Sequence, residues 1–283
     1  KGGIFMALIR VDLFSESLMR TVTVNAIIPV DKMTLPGMPK REKKPFKTLY
    51  LLHGIFGNYT DWVTGTRIQR WAQDQNLAVI MPSGENKFYV DNLATGELYS
   101  TFIGKELVEK TRELFPLSCK REDTFIAGLS MGGYGALTNG LRFHETFSCI
   151  GALSSGLIID SVLTSDNTSL LPTQRRSYYE SVFGDLDKLV GSEKDYKALV
   201  LELKKNNLDI PKIYMACGTE DFLIEQNRDY HNFLEAQKVD VTYVEGPGAH
   251  TWDFWDTYIE KLLTWLPLER QTESIHSGNV KVK

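Results

Sequence analysis

The stretch "AGLSMGGYGA" (127–136) sets Ser130 between Gly128 and Gly132, with Gly133 next, directly after the apolar run "TFIAGL" (124–129). A serine hydroxyl is a poor nucleophile at neutral pH. To attack a carbonyl it needs a base for its proton, a group that orients the base, and donors for the charge that develops on oxygen. A strand ending at Leu129 and a helix beginning at Met131 would hold Ser130 on a sharp corner, hydroxyl outward, with a strained backbone. The residues two before and two after then crowd each other and the adjoining strand, which excludes side chains and favours glycine. A glycine-rich tight turn with an idle serine would read the same, so the partners decide.

The chain has five histidines. His276 lies in the polar end "QTESIHSGNVKVK", His231 sits mid-helix in "EQNRDYHNFLEA", and His144 closes the helix after Ser130. His53 ends a strand in "LLHGIFG". His250 falls in "EGPGAHTWDFW", a glycine-rich loop between the last strand and the last helix, and loops at the carboxyl edge of a parallel sheet are where reactive groups collect. His250 is the candidate base; a backbone-bonded loop histidine is the alternative. The orienting carboxylate should follow the preceding strand, where "KIYMACGTEDFLIEQN" offers Glu220 and Asp221 after Gly218. An acid there could equally cap the next helix. The oxyanion donors expected are the backbone N–H of Met131 and, from the loop "LLHGIFGNYTDW", that of Ile55. His53 reads as a brace for that loop.

These residues need a rigid frame. "ALIRVDLF" (7–14) and "RTVTVNAII" (20–28) read as an antiparallel hairpin, with Val22, Val24 and Ala26 on one face. The runs 48–53, 77–82, 124–129, 147–153, 212–217 and 241–245 are short and nearly continuously apolar, as in parallel strands covered on both faces. Helical patterns lie between them, at 97–115 and, with Trp255, Tyr258, Ile259, Leu262, Leu263 and Leu266 on one stripe, at 252–266. Strands alternating with helices predict one α/β domain with a mostly parallel, eight-stranded, doubly wound sheet and helices on both faces. The connection 154–210 exceeds a simple crossover and should hold two or more helices as a cap-like insertion. The Pro- and Lys-rich stretch 31–47 is a loop, and 271–283 a frayed tail. Met6 reads as a natural first residue, with Lys1–Phe5 as an artificial remnant ahead of it.

Four separated motifs, "LLHGIFGNYTDW", "AGLSMGGYGAL", "CGTEDF" and "GAHTWDFW", resemble the esterase D family of α/β-hydrolases from about Leu13 to Leu266. The likeness is strongest to the tributyrin-esterase type of carboxylesterase, whose relatives include acetyl and feruloyl esterases. It implies hydrolysis of small esters, short acyl groups first, by a Ser-His-Asp triad without cofactor or metal. Residue by residue it implies Ser130, Asp221 rather than Glu220, and His250, with oxyanion donors at Ile55 and Met131. S-formylglutathione hydrolases are also similar, but they usually carry a cysteine where this chain reads "IFGN", and they differ at "PSGENKFYVDN". Both departures argue against a glutathione thioester. Trp62, Phe222 and Trp252 flank the presumed loops and are candidates for a substrate-binding wall. Leu157, Ile158, Tyr178 and Tyr179 of the insertion could complete it.

The bulk composition sets limits. The 283 residues, 42% hydrophobic and 24% charged with net charge −4, describe a globular chain without bulk attraction to nucleic acid or anionic membrane. No apolar run reaches the length of a membrane span. Three cysteines form neither a disulfide framework nor a zinc spacing. A reducing, cytoplasmic compartment is therefore expected, although an exported form whose leader has been removed is compatible with the same residues. The partner expected is a small ester; a homo-oligomer is compatible with the sequence.

Overall fold

The computed structural model describes residues 7–30 and 44–268. Lys1–Phe5 with Met6, most of the 31–47 loop, and the 271–283 tail with His276 lie outside the described residues.

Eight strands form one sheet: β1 (Ala7–Ser15), β2 (Arg20–Ile28), β3 (Thr48–Leu52), β4 (Ala78–Pro82), β5 (Thr124–Leu129), β6 (Cys149–Leu153), β7 (Lys212–Gly218) and β8 (Val241–Gly246). Their spatial order is β1-β2-β4-β3-β5-β6-β7-β8. β2 runs antiparallel to both β1 and β4, with Leu13 opposite Val22 and Ala26 opposite Ile80. The remaining neighbours are parallel. Every residue of β3, β4, β5 and β6 is buried, the reason these segments read as unbroken apolar runs. Successive side chains feed opposite faces. Tyr50, Leu52, Ile80, Ile126 and Ile150 join one core, while Leu49, Leu51, Val79 and Phe125 join the other. Helix Met131–Arg142 covers the first face, and helix Trp252–Trp265 closes the second through Tyr258, Ile259, Leu262 and Leu263.

Three local readings change. β8 is half-exposed along its whole length rather than covered on both faces, because it is an edge strand paired only with β7. The helix expected from 97 begins at Tyr99, since Glu97–Leu98 pairs with Asp91–Asn92 in a small antiparallel ribbon. That helix is also wound as a π-helix over Phe102–Glu106 before resuming at Leu107–Leu114. The 154–210 connection holds helices Ile159–Leu163, Arg176–Phe183 and Tyr196–Lys205. Val162, Val182, Phe183 and Val200 pack into the first core, and the Phe183 ring meets Phe88 at 5.3 Å and Tyr134 at 6.1 Å.

Candidate active site

Ser130 occupies the corner between β5 and helix Met131–Arg142 with φ 53° and ψ −118°, a left-handed backbone that costs on the order of 1–3 kcal/mol and must be held by its surroundings. Four bonds hold it. Its N–H donates to Leu153 O at 2.9 Å, and its carbonyl accepts from Gly133 N–H, Tyr134 N–H and Gly156 N–H at 2.9, 3.1 and 2.8 Å. The glycines follow from contact distances. A Cβ on Gly128 would lie 2.2 Å from Gly132 O, and one on Gly132 would lie 2.5 Å from Leu52 O, across on β3. A Cβ on Gly133 would meet Ser155 Oγ at 2.5 Å.

The structure brings Ser130, His250 and Asp221 together from three separate loops at the carboxyl edge of the sheet. His250 Nε2 stands 3.0 Å from Ser130 Oγ, and its Nδ1 lies 2.9 and 3.1 Å from the two Asp221 carboxylate oxygens. An ionised carboxylate only accepts, so Nδ1 carries the proton and Nε2 is free to accept from the serine hydroxyl. Burial pushes the Asp221 carboxyl up, but bonds from His250, the Leu223 N–H (2.9 Å) and Ser154 outweigh it and hold its pKa below the ordinary value. Glu220 does something else: exposed, it accepts the Gly248 N–H and ties down the loop that carries His250. The pair of acids left open by the residues alone is thereby separated in space.

The loop after β3, which carries Ile55, is braced from below. His53 is buried, its Nε2 accepts from Gly84 N–H at 2.8 Å, and its Nδ1–H donates to Gly54 O at 2.7 Å. Burial lowers its pKa, so the ring stays neutral in that role. Gly54 O and the Ile55 N–H belong to one trans peptide and point in opposite directions, so fixing the carbonyl aims the donor. Neither Ile55 N–H nor Met131 N–H has an acceptor among the described residues.

The residues expected in a substrate wall divide between surface and core. Phe222 is 72% exposed, with its ring 4.7 Å from the His250 imidazole. Trp62, 1% exposed, belongs instead to the core: its Nε1–H is spent on Leu52 O at 2.9 Å. An aromatic residue this close to the end of β3 is drawn inward by that carbonyl. Trp252 wedges between the rings of Trp62 and Trp255 at 5.7 and 5.1 Å. Of the insertion residues, Leu157 and Tyr179 are buried, and Ile158 and Tyr178 are half-buried. Trp255, read from sequence only as part of an apolar stripe, meets the His250 ring edge-on at 4.9 Å and donates to Ser154 Oγ at 3.1 Å. Asn227 clamps the backbone of Ser155, accepting its N–H and donating to its carbonyl at 3.1 and 3.0 Å. Its place within a helix gave no sequence signal for this. Among the described residues no group of three His, Cys, Asp or Glu side chains could hold a metal.

A sheet of this order and connectivity, with a serine on the β5-to-helix corner, defines an α/β-hydrolase. The Esterase family model matches residues 15–266. An acetyl esterase of Caldicellulosiruptor saccharolyticus is 47% identical over 261 residues, which cover 92% of this chain and 98% of that one. Two solved structures from Staphylococcus aureus are each 31% identical. The fluorophosphonate-binding serine hydrolase FphF has a TM-score of 0.82 over 94% of this chain and 99% of its own, and the S-formylglutathione hydrolase FrmB 0.79 over 93% and 99%. The chain belongs to the Esterase family, as a serine hydrolase acting on carboxylic esters.

Proposed function

We propose that this chain is a carboxylesterase for short acyl groups, acetyl first, working through Ser130, His250 and Asp221. The observation that carries the reading is the continuous chain of contacts from Ser130 Oγ through His250 to Asp221, at 3.0 and 2.9 Å. Ser130 attacks the ester carbonyl while His250 Nε2 takes its proton. Asp221 holds the Nδ1–H tautomer and stabilises the imidazolium without taking the proton. The carbonyl oxygen, now an anion, accepts from the Ile55 and Met131 N–H groups. His250 then protonates the leaving alcohol, and a water that it activates releases the acid from Ser130. The acetyl preference is supported by the acetyl esterase that is 47% identical over nearly the whole chain.

A second reading, thioester hydrolysis on the same three residues, is favoured by the likeness to FrmB at 31% identity. Initial rates on p-nitrophenyl acetate, butyrate and octanoate, methyl ferulate and S-formylglutathione, for wild type and Ser130→Ala, separate the two. Ester turnover that falls by about 10⁴-fold or more in Ser130→Ala supports the proposed chemistry. A serine-dependent thioester rate far above every ester rate replaces the substrate, and a Ser130→Ala enzyme that keeps its rate refutes the mechanism.

A further inference from the structure

The oxyanion loop rests on a second loop that the acyl-transfer chemistry never touches. Residues 83–90 meet it at four points. Gly84 N–H donates to His53 Nε2 at 2.8 Å, and Tyr89 Oη–H donates to His53 O at 2.9 Å. Ser83 Oγ accepts from Tyr59 N–H at 3.2 Å, and Asn86 Oδ1 accepts from Phe56 N–H at 2.8 Å. The last contact differs from the others. Phe56 stands at φ 69°, a left-handed conformation that a bulky residue rarely adopts, and its side chain is 70% exposed. Ring packing therefore does little to hold it there; the turn is restrained by the Gly57 N–H bond to Gly54 O at 3.2 Å and by the bond to Asn86.

The position matters because of what lies one peptide earlier. The Ile55 N–H shares its peptide with Gly54 O, which His53 fixes, while the next peptide ends in the Phe56 N–H, which Asn86 fixes. Of the two peptide planes on either side of the Ile55 Cα, the first is anchored by His53 and by the Gly57 N–H (3.2 Å), and the second by Asn86. Releasing the second leaves the turn held only by the Gly57 N–H bond, which loosens Phe56 and lets the first plane tilt, because adjoining planes share one Cα. Asn86 is also bound from the other side: its carbonyl accepts from Tyr178 Oη–H at 2.6 Å, and Tyr178 lies on helix Arg176–Phe183 of the insertion. A run of bonds therefore connects the insertion to the oxyanion donor through one residue.

We infer that Asn86 is a positioning residue for the Ile55 oxyanion donor and that Tyr178 couples it to the insertion, so that the insertion governs the rate of acyl transfer rather than the binding of substrate. The inference rests on the acyl-transfer reading above. A donor pulled out of line stabilises the anion formed in the transition state less, but leaves the neutral ground-state ester nearly unaffected. The effect should fall on kcat.

The test compares wild type, Asn86→Ala, Asn86→Asp, Tyr178→Phe and Ser130→Ala. The measurements are steady-state kinetics on p-nitrophenyl acetate and the rate of single-turnover p-nitrophenol release from a p-nitrophenyl alkylphosphonate, which also places charge on an oxygen in the hole. Asn86→Ala should lower kcat by roughly 10- to 100-fold, below the full loss of a donor, with KM within about threefold. Asn86→Asp keeps an acceptor for the Phe56 N–H and should recover most of the loss. Tyr178→Phe should lower kcat by roughly three- to tenfold at unchanged KM. The phosphonate rates should fall in the same order. The inference is overturned if Asn86→Ala and Tyr178→Phe stay within twofold of wild type, if Asn86→Asp falls as far as Asn86→Ala, or if the loss appears in KM. Should Asn86→Ala fail to fold, Tyr178→Phe, which removes a single oxygen, decides alone. Phosphonate turnover equal in wild type and Ser130→Ala would sink the acyl-transfer reading and this inference with it. Serine-dependent turnover that ignores Asn86 and Tyr178 would sink the inference alone.

Discussion

Replacing Gly132 with alanine tests why the serine corner takes the form it does. The new Cβ would stand 2.5 Å from Leu52 O and 2.6 Å from His53 O, where ordinary contact begins at 3.4 Å. Backbone must therefore move by roughly 0.9 Å, the gap between 3.4 and 2.5 Å. Neither carbonyl is free to yield, since Leu52 O accepts from Trp62 Nε1–H and His53 O from Tyr89 Oη–H. Overpacking of this kind costs about 1–3 kcal/mol. For a domain of this size that corresponds to a fall in Tm of roughly 2–5 °C. The carbonyls that move lead directly into His53, Gly54 and the Ile55 donor, and a misplacement near 1 Å costs on the order of 10²-fold in rate. Thermal melts and p-nitrophenyl acetate kinetics on Gly132→Ala should show both losses, with kcat falling far more than KM rises. A variant with Tm within a degree and kcat within twofold of wild type would mean that the close approach of the corner to β3 is not what shapes the oxyanion loop.

The two neighbouring acids should behave differently: Asp221→Asn should lose about 10⁴-fold in kcat through the wrong His250 tautomer, whereas Glu220→Gln should stay within about threefold, and equal losses on p-nitrophenyl acetate would contradict the assignment. His53→Leu leaves Gly84 N–H unpaired in the interior, which should cost about 1–3 kcal/mol in urea unfolding and lower kcat more than it raises KM. Because the folded-state pKa of Asp221 is lowered, its ionisation adds stability that is complete above the unfolded value near 3.9 and drains away as pH falls through the folded value. The unfolding free-energy difference between wild type and Asp221→Asn should accordingly be larger at pH 5 than at pH 3, and a difference that grows on acidification would reverse the sign.

The parallel strands were legible because burial on both faces leaves no polar position to interrupt them, as in "TFIAGL" and "TLYLL". The hairpin was legible for the opposite reason, since one face of β1 stays exposed and its residues alternate. Helices Asp61–Gly65 and Ile68–Asp74 escaped notice because each is too short for a repeating stripe. The π-wound turn at Phe102–Glu106 has no signature in residue type, although it includes Glu106, whose carboxylate accepts from Ser15 Oγ and the Glu16 and Ser17 N–H groups. Ser130, His250 and Asp221 could be proposed from their places at strand ends. Choosing Asp221 over Glu220 took the family resemblance rather than residue type, and moving Trp62 from wall to core required knowing where its side chain turns. Asn86 lay beyond reach because its role depends on a contact with Phe56, 30 residues away, and another with Tyr178, 92 residues away.

The strand order has a consequence for how the chain acquires its chemistry. The central pairing joins residues 48–52 to 124–128, and β6 meets β7 across the whole insertion. Contacts of such separation close late, after local helices have formed. Ser130, Asp221 and His250 follow the ends of β5, β7 and β8, so they meet only once β5, β6, β7 and β8 have paired in register. Hydrolytic rate therefore reports long-range strand assembly, which recovered helix content alone does not.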